Sequence, residues 1–589
     1  MRIVFDIEAN GLQPTKVWCI VAKDIDNGTQ YKFVDSAVND FSKYLRTNNV
    51  VEVIGHNIIG FDVPVLERLL GVDFSGIKIT DTLVMSRLFN PSREGGHSLE
   101  KWGEKLSFPK GEFNDWSQFT FEMLEYCTQD VEVNARVYSV LQKEAVGFSD
   151  QSIDLEHRVQ SIVTQQQENG WLIDEPKAHI LYAQLQERRV ELEDEVHKTF
   201  KPIPILDKEI TLKHKKDGTL SAVGLKWLED WKDVVIGDFC RIVWQDFNLG
   251  SRKQIAVRLQ KLGWKPTKFT EKGNIIVDEP ELKKVKGIPE CDMMAEYFLV
   301  QKREAMLKNI IEHIHDDDGR VHGYVNSCGA VTGRMTHSDP NLAQIPASYS
   351  PYGKEFRGIF TVAKGYKLVG IDASGLELRM LAHYMQDENY IHQILDGDIH
   401  KYNGIMANLI DYSWEETSKE FDEGRNKAKT MIYATMYGAG NAKLGSIVGG
   451  GSRAGRRLKN TFFTNIPALG DLVERVQKAS ARGFLKGIDG RKIWIRSPHS
   501  SLNALLQSTG AVVMKKALTL LDEYATIAGI DYKFVGNIHD EFQTEVREDQ
   551  AETFGSLAVK SIVDAGVALD LRCPLDGDFQ IDNSWAGTH

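Results

Sequence analysis

Short β-branched apolar runs alternate along this chain with longer stretches of helical periodicity. In the first ~145 residues, strand-like runs (RIVFDIEA, VEVIGHNI) sit between helical patterns, which predicts an α/β unit. Residues 155–200 (LEHRVQSIVTQQQENG, then KAHILYAQLQERRVELEDEVHKTF) have the spacing of long amphipathic helices. The segment from Lys201 to Asp246 reads as irregular, and helical patterns resume at SRKQIAVRLQKLGW and MMAEYFLVQKREAMLKNIIEHIH. Strand-like runs return at VHGYVNS, YKLVGID and YKFVGNIHDEFQTEV, with a helix-rich stretch, 385–525, among them. This order predicts a mixed sheet interrupted by a helical subdomain.

Composition narrows the class. At 589 residues the chain is too long for one hydrophobic core. No apolar run approaches the ~20 residues of a membrane span, and MRIVFDIEANGL enters a strand at once, which predicts no leader peptide. The six cysteines are scattered without a CxxC pair, against a zinc site or disulfide framework and in keeping with a reducing cytoplasm. A net charge of −12 disfavours nucleic acid as a partner only if charge is spread evenly. From Arg425 to Lys459 it is not: Arg425, Lys427, Lys429, Lys443, Arg453, Arg456, Arg457 and Lys459 occur with no Asp or Glu.

The chemistry lies in carboxylates that end apolar runs. IDASGLELR presents Asp372, and VGNIHDEFQTEV presents His539, Asp540 and Glu541. Carboxylates brought side by side cannot all ionise without a cation. A pair of divalent metals resolves that conflict and makes a clamp for in-line phosphoryl displacement. Between them, Arg425, Lys429, Tyr433 and Tyr437 recur every four residues, so a helix sets them in one stripe. Two cations followed by two aromatics suit a triphosphate followed by a base. Together these predict template-directed nucleotidyl transfer. GAGNAKLG and GGGSRAG lack GK[ST] and the spacing of a phosphate loop, so that reading is rejected.

A second acidic set opens the chain. Asp6 and Glu8, two apart on a strand, face the same way. Asp62 follows in HNIIGFDVPVL, and Asp130 in EYCTQD stands one helical turn after Tyr126. Each alone is as readily a surface acid. The order D-x-E, N-x-x-G-F-D, Y-x₃-D within one α/β unit resembles the DEDDy proofreading exonucleases of RNase H-like fold. That resemblance implies Asp6, Glu8, Asp62 and Asp130 as metal ligands and Tyr126 as the residue orienting the attacking water.

The order DASGLELR, RNKAKTMIYATMYG, HDE resembles family A DNA polymerases. CGAVTGRMTHSDPNLAQIP, SPYGKEFRGIF and GIDGRKIWIRSPHSSLNALLQSTGA resemble in particular the replicative polymerases of short-tailed coliphages, the type that borrows host thioredoxin. The resemblance implies an α/β exonuclease domain at 1–147 and an α+β polymerase of right-hand shape. Its thumb would span 148–324, its palm 325–384 and 503–589, and its fingers 385–502. Asp372 and Asp540 would hold two metals with Glu541 nearby. Arg425, Lys429 and His400 would bind the triphosphate, and Tyr433 and Glu377 would sit at the sugar. Tyr437 would lie near the templating base, and Arg334, Asn503, Gln507 and His539 along the primer-template. Arg334 and Gln507 also make sense as minor-groove donors, since every correct pair shows acceptors there in nearly the same places.

The implied cofactor is Mg²⁺, two ions per site, with Mn²⁺ as a substitute. The implied partners are primer-template DNA, deoxynucleoside triphosphates, a processivity factor (thioredoxin or another) and a helicase-primase. No membrane is implied, and the expected location is the cytoplasm of an infected bacterium. Because the exonuclease set starts at the first residues, a 5′-nuclease domain is not expected, which favours a replicative phage enzyme. Residues 201–246 occupy the place of the thioredoxin-binding insertion but look shorter and do not match it. Two rivals are a single-subunit RNA polymerase, which shares the palm and the R-x₃-K helix, and a catalytically silent DNA-binding derivative. Glu377 with the attached exonuclease set, and the full complement of carboxylates, argue against them.

Overall fold

The apolar run RIVFDIEA forms β1 (Arg2–Ala9), the centre of a five-stranded sheet, in a computed structural model that describes residues 1–228 and 239–588. Its neighbours are β2 (Val17–Asp24), β3 (Gln30–Val34), β4 (Glu52–Gly55) and β5 (Lys78–Asp81), in the order β3-β2-β1-β4-β5. β1 pairs antiparallel with β2, and β2 with β3, whereas the β1–β4 and β4–β5 pairs are parallel. Ile3 and Phe5 pack with Phe41, Val53 and Leu66 on one face, and Val4 with Val21, Ile54 and Val137 on the other. A strand buried on both faces reads as continuously apolar, so the acids inside it stand out. Helices α1 (Asp62–Leu70) and α2 (Thr82–Phe89) follow, then α3 (Phe121–Glu144), whose first turn is capped by the Thr120 hydroxyl accepting the Met123 N–H at 3.1 Å.

The chain divides into two compact units, Met1–Ile173 with His313–His589, and Asp174–Glu312. In the first, α4 (Asp150–Asn169) follows the N-terminal sheet. The second unit is built on α5 (Glu175–Thr199) packed against α6 (Pro289–Ile311), tied by Arg188–Glu296 and Arg189–Glu304 ion pairs at 2.8 Å each. Here the reading of 201–246 as irregular needs correction. β6 (Ile203–Ile210) and β7 (Phe239–Gln245) pair antiparallel, with the helix Ala222–Leu228 between them. Their apolar side chains stay exposed (Leu206 58%, Trp244 63%), so the run carries no clear buried-face pattern. Part of the expected accessory-factor insertion, residues 229–238, lies outside the described residues.

A second sheet is formed late in the chain by β8 (Tyr366–Ala373), β11 (Tyr532–Ile538), β12 (Glu541–Arg547) and β13 (Gly577–Asp582), in the order β11-β12-β8-β13. The helices α7 (Leu376–Met385), α8 (Ile399–Met406), α9 (Lys419–Met436) and α10 (Ser452–Asn465) and the hairpin β9–β10 (Phe484–Lys486, Lys492–Trp494) intervene between β8 and α11 (Ser501–Ile527). Val369, Ile371, Phe534 and Phe542 share one core with Leu518 of α11 and Ile562 of α12 (Ala551–Ala568). Each such burial contributes roughly 1.5–3 kcal/mol, enough to fix which sheet end carries the acids.

Two expectations about this sheet fail. It is antiparallel throughout rather than mixed, because a two-residue turn, His539-Asp540, joins β11 to β12 and permits nothing else. VHGYVNS is not part of it either. Val321 pairs with Trp171, and Tyr324–Asn326 pairs with Thr336–Ser338 in separate two-stranded ribbons. No helix among the described residues is long and apolar enough to cross a membrane.

Candidate active sites

At the end of β8, Asp372 stands directly opposite Glu541 on one neighbouring strand and Asp578 on the other. Directly opposed residues in antiparallel pairs project to the same face, so three acids gather there. The Ala373 N–H donates to the Asp540 carbonyl at 3.3 Å, which draws the β11–β12 turn against the end of β8. His539 takes a left-handed φ of 57° at that turn. The Asp372 carboxyl is pushed up to about 6, first by burial among protein atoms, then by Asp540, Glu541 and Asp578. Although its residue surface is open to solvent, the crowded strand end on its other side dominates. Burial also raises the Asp540 carboxyl, against the pull of Arg334 and His539.

Glu541 is turned inward. Its carboxylate accepts the Trp585 indole N–H at 2.6 Å, is bonded by Gln543, and lies 3.9 Å from Arg357. Gly370 belongs to the same packing, since a Cβ there would come within 2.5 Å of the Gln543 amide and 2.7 Å of Thr588. Glu541 therefore braces the strand end under the C-terminal segment while still raising Asp372.

The predicted stripe lies on α9. Arg425 pairs with Asp398 at 2.6 Å, and Asp398 also caps α8 by accepting the His400 N–H at 2.9 Å. One acid thus aims Arg425 and fixes His400, whose imidazole is held low by burial and then by Arg425 and Lys429. Lys429, exposed on the same helix, has no ion pair among the described residues. The Tyr433 ring lies 6.3 Å from that of His400. Tyr437 ends the helix and donates its hydroxyl to Glu377 at 2.9 Å, so Glu377 is bonded to Tyr437 rather than to Tyr433. Gly438 follows at φ +73°, where a Cβ would sit 2.3 Å from the His499 carbonyl oxygen. Only glycine lets the chain leave the helix there.

Arg334 bridges the pieces, 3.5 Å from Glu377 and 4.0 Å from Asp540. With His337, Lys515, Asn537, His539 and Asp540 it lines a small cavity. Asn503 and Gln507 occupy the α11 face that continues, one turn on, to Ala511 in that cavity wall.

The N-terminal acids meet at the middle of β1. Asp62, at the start of α1, accepts the Ile7 N–H at 3.2 Å, placing its carboxylate between Asp6 and Glu8. Tyr126 and Asp130 come from α3. Burial is the first cause of every shift: Glu8 is pushed up to about 9, Asp62 to about 7 and Asp130 to about 6, and Asp6 rises well above the carboxylate range. The neighbouring acids add to it. Glu8 Oε1 and Asp130 Oδ1 are buried with no hydrogen-bond partner.

Lys110 reaches this site from a loop, 2.6 Å from Asp130 and 4.7 Å above the Tyr126 ring. Burial pulls its ammonium down, but Asp130 and Tyr126 hold it above its usual range. Sequence patterns gave no sign of Lys110. Asp398 was findable, because DGDIH carries the capping acid that starts a helix.

Both sets are therefore assembled, on different sheets with different cores. Residues 232–587 match the family model for DNA polymerase family A. Over the full length of both chains, the sequence is 32% identical to the DNA-directed DNA polymerase of Escherichia phage T7, and likewise to that of Enterobacteria phage T3. It is 28% identical to DNA polymerase I of Pseudomonas aeruginosa over 59% of this chain and 39% of that one. The solved POL domain of Pol1 from M. smegmatis, in complex with DNA primer-template and dNTP, has a TM-score of 0.78 and covers 99% of this chain and 95% of that one. At 18% identity that likeness is one of fold.

Proposed function

The chain belongs to DNA polymerase family A, and we propose that its two carboxylate sites divide DNA synthesis and removal of the primer's 3′ end between them. It is a DNA-directed DNA polymerase that copies a template from deoxynucleoside triphosphates. Residues 325–384 and 503–589 form its palm, 385–502 its fingers and 148–324 its thumb. Residues 1–147 form an RNase H-like 3′-5′ exonuclease domain. Support for the last comes from the strand order β3-β2-β1-β4-β5, with antiparallel pairs on one side of β1 and parallel pairs on the other.

The donor sets fit divalent cations. Asp372 with Asp540, and Asp6, Glu8, Asp62 and Asp130, are oxygen donors whose charges oppose one another without one. Mg²⁺, two ions per site with Mn²⁺ as substitute, would neutralise the charge that develops on the attacking and leaving oxygens. The remaining work belongs to side chains. Arg425, Lys429 and His400 draw the triphosphate onto α9, with Asp398 aiming the guanidinium. Glu377, held by Tyr437, walls off the ribose 2′ position, and Tyr433 lines the sugar pocket. Arg334, Asn503, Gln507 and His539 donate along the primer-template, and Tyr437 lies beneath the templating base. In the exonuclease site Tyr126 orients the attacking water, and Lys110 holds Asp130 in place.

The primer-template and dNTPs are the direct partners, and a processivity factor and a helicase-primase are the expected accessory ones. The exposed Leu206 and Trp244 of β6–β7 support a protein contact there. An infected bacterial cytoplasm is the expected setting. The observation that carries the reading is the joining of Asp372, Asp540, Arg334 and Glu377 at one strand end. Primer extension with Mg²⁺ tests it, using deoxy- or ribonucleotides on matched and mismatched primers. Extension with deoxynucleotides alone, and trimming of the mismatched end, are expected. Extension with ribonucleotides would make the chain an RNA polymerase, and no extension at all would leave only a DNA-binding derivative.

A further inference from the structure

Cys127 follows Tyr126 on α3 and is fully buried, with its thiol directed at β1. Its Sγ lies 3.4 Å from the Asp6 carbonyl oxygen and 3.8 Å from the Asp6 carboxylate. One donor atom each from Asp6, Glu8 and Cys127 falls within 4.8 Å of the others, a spread that a single ion can bridge. The other acids nearby are engaged: Asp130 with Lys110, and Asp62 with the Ile7 N–H. Glu8 is 6% exposed, and its Oε1 has no hydrogen-bond partner. A buried, unpartnered carboxylate oxygen beside a thiol and a second carboxylate is a donor set in need of a cation.

We propose that Asp6, Glu8 and Cys127 form a site for a thiophilic divalent cation such as Zn²⁺ or Cd²⁺, within the exonuclease centre assigned above and resting on that assignment. Two carboxylate oxygens and one thiolate leave a fourth position open, the arrangement of three protein ligands plus one exchangeable group that suits tetrahedral Zn²⁺. Sulfur changes the selectivity. Carboxylates alone suit Mg²⁺ and Mn²⁺, whereas a thiolate favours softer ions. On binding, the Cys127 S–H bond breaks, its proton leaves to water and the sulfur lone pair joins the metal. Cys19 lies opposite Glu8 on β2 and beside Cys127, but only Cys127 belongs to the three-donor cluster. Primer trimming is then subject to competition, in which a thiophilic ion at Cys127 displaces the hard ion that hydrolysis uses.

Titration of the full-length protein with Cd²⁺, followed by the ultraviolet sulfur-to-metal charge-transfer band, tests this. One band with the intensity of a single thiolate is expected. Cys127→Ser should abolish it, Cys19→Ser should retain it, and Glu8→Gln should shift its midpoint to higher Cd²⁺, with circular dichroism and primer extension reporting folding of each variant. A band undiminished in folded Cys127→Ser, or no band in the parent, overturns the site. The exonuclease assignment is judged separately. Primer trimming that persists in Asp6→Ala with Glu8→Ala would remove that assignment even if the band obeys Cys127. Trimming lost in that variant, with no band in the parent, would leave the exonuclease standing and remove the thiophilic site.

Discussion

Asp372 and Asp540 stand at a strand end and a turn beside a cleft, with Arg334 and Glu377 within reach, whereas Asp6, Glu8, Asp62 and Asp130 converge between a strand and two helices. Both groups face the same electrostatic conflict. In the first, carboxyl pKa rises to about 6 at Asp372, and in the second to about 9 at Glu8. Depth accounts for the difference, since burial is the leading cause in each. A copying site has to admit a duplex and a triphosphate and so stays open. A trimming site has only to receive a frayed end, and it can keep its acids in a drier place. The fixed cations differ as well. Lys110 is lodged against Asp130, while Arg425 and Lys429 stand on a helix apart from the metal acids.

The largest expected effect separates the two. Asp372→Ala or Asp540→Ala should stop primer extension and spare primer trimming, and Asp6→Ala with Glu8→Ala should do the opposite. Losing a contact that stabilises charge in the transition state costs on the order of 10²–10³-fold or more. Parallel extension and single-strand trimming assays on each variant read this directly. One folded variant lacking both activities would mean that the two sheets do not act independently.

Next comes Tyr433, which belongs to the copying site alone. Its ring packs near His400, and its hydroxyl is free to replace the 3′-OH missing from a dideoxynucleotide. Phenylalanine leaves a phosphate oxygen unpaired, at about 1–3 kcal/mol. Tyr433→Phe should therefore reject dideoxynucleotides about ten- to a hundredfold more strongly, with deoxynucleotide use little changed. Competition between dideoxy- and deoxythymidine triphosphate measures the ratio, and equal ratios in the two proteins would place Tyr433 outside the sugar pocket.

Lys110→Met acts on the trimming site alone. Without the ammonium the Asp130 carboxyl, already near 6, moves higher. Trimming should fall roughly tenfold near neutral pH, a loss of about 1.4 kcal/mol, and the acid arm of its pH profile should move upward. Extension should keep its rate and profile. A pH profile identical to the parent's would show that Lys110 does not act on Asp130.

What could be read from the sequence follows this contrast. Acids within continuous apolar runs are conspicuous, so Asp6, Glu8, Asp372 and Asp540 were visible, and four-residue spacing placed Arg425 to Tyr437 on one helix. Pairing was harder. The antiparallel register of β8 with β12 depends on a turn whose two residues look like ordinary site residues. Lys110 and Trp585 reach their partners from a loop and from the chain end, where no periodicity marks direction. Glu541 looked like a third ligand because it follows Asp540, yet its carboxylate is engaged by Trp585. The β6–β7 hairpin escaped because it buries too little to impose alternation.

The smallest expected effect is thermodynamic. A carboxyl whose folded pKa is raised holds its proton in the native state at pH values where the unfolded chain has released it. Stability is then fully present below the unfolded value, near 4, and declines as pH rises toward the folded values, about 7 at Asp62 and about 9 at Glu8. A divalent cation reverses this by binding the ionised native site, and at ~100 times its Kd contributes about 2.7 kcal/mol. Added Mg²⁺ should therefore raise the melting temperature by a few degrees at pH 8 and by less at pH 5, given roughly 2–4 °C per kcal/mol for domains of 150–250 residues. Glu8→Gln removes the deepest charge, so it should melt higher than the parent at pH 8 without cation and gain less from Mg²⁺. Asp540→Ala should keep most of the parent's pH dependence, because its site is the shallower of the two. Melting curves at both pH values, with and without Mg²⁺, decide the matter. If Asp540→Ala flattens the response more than Glu8→Gln does, the open site rather than the buried one carries the electrostatic strain.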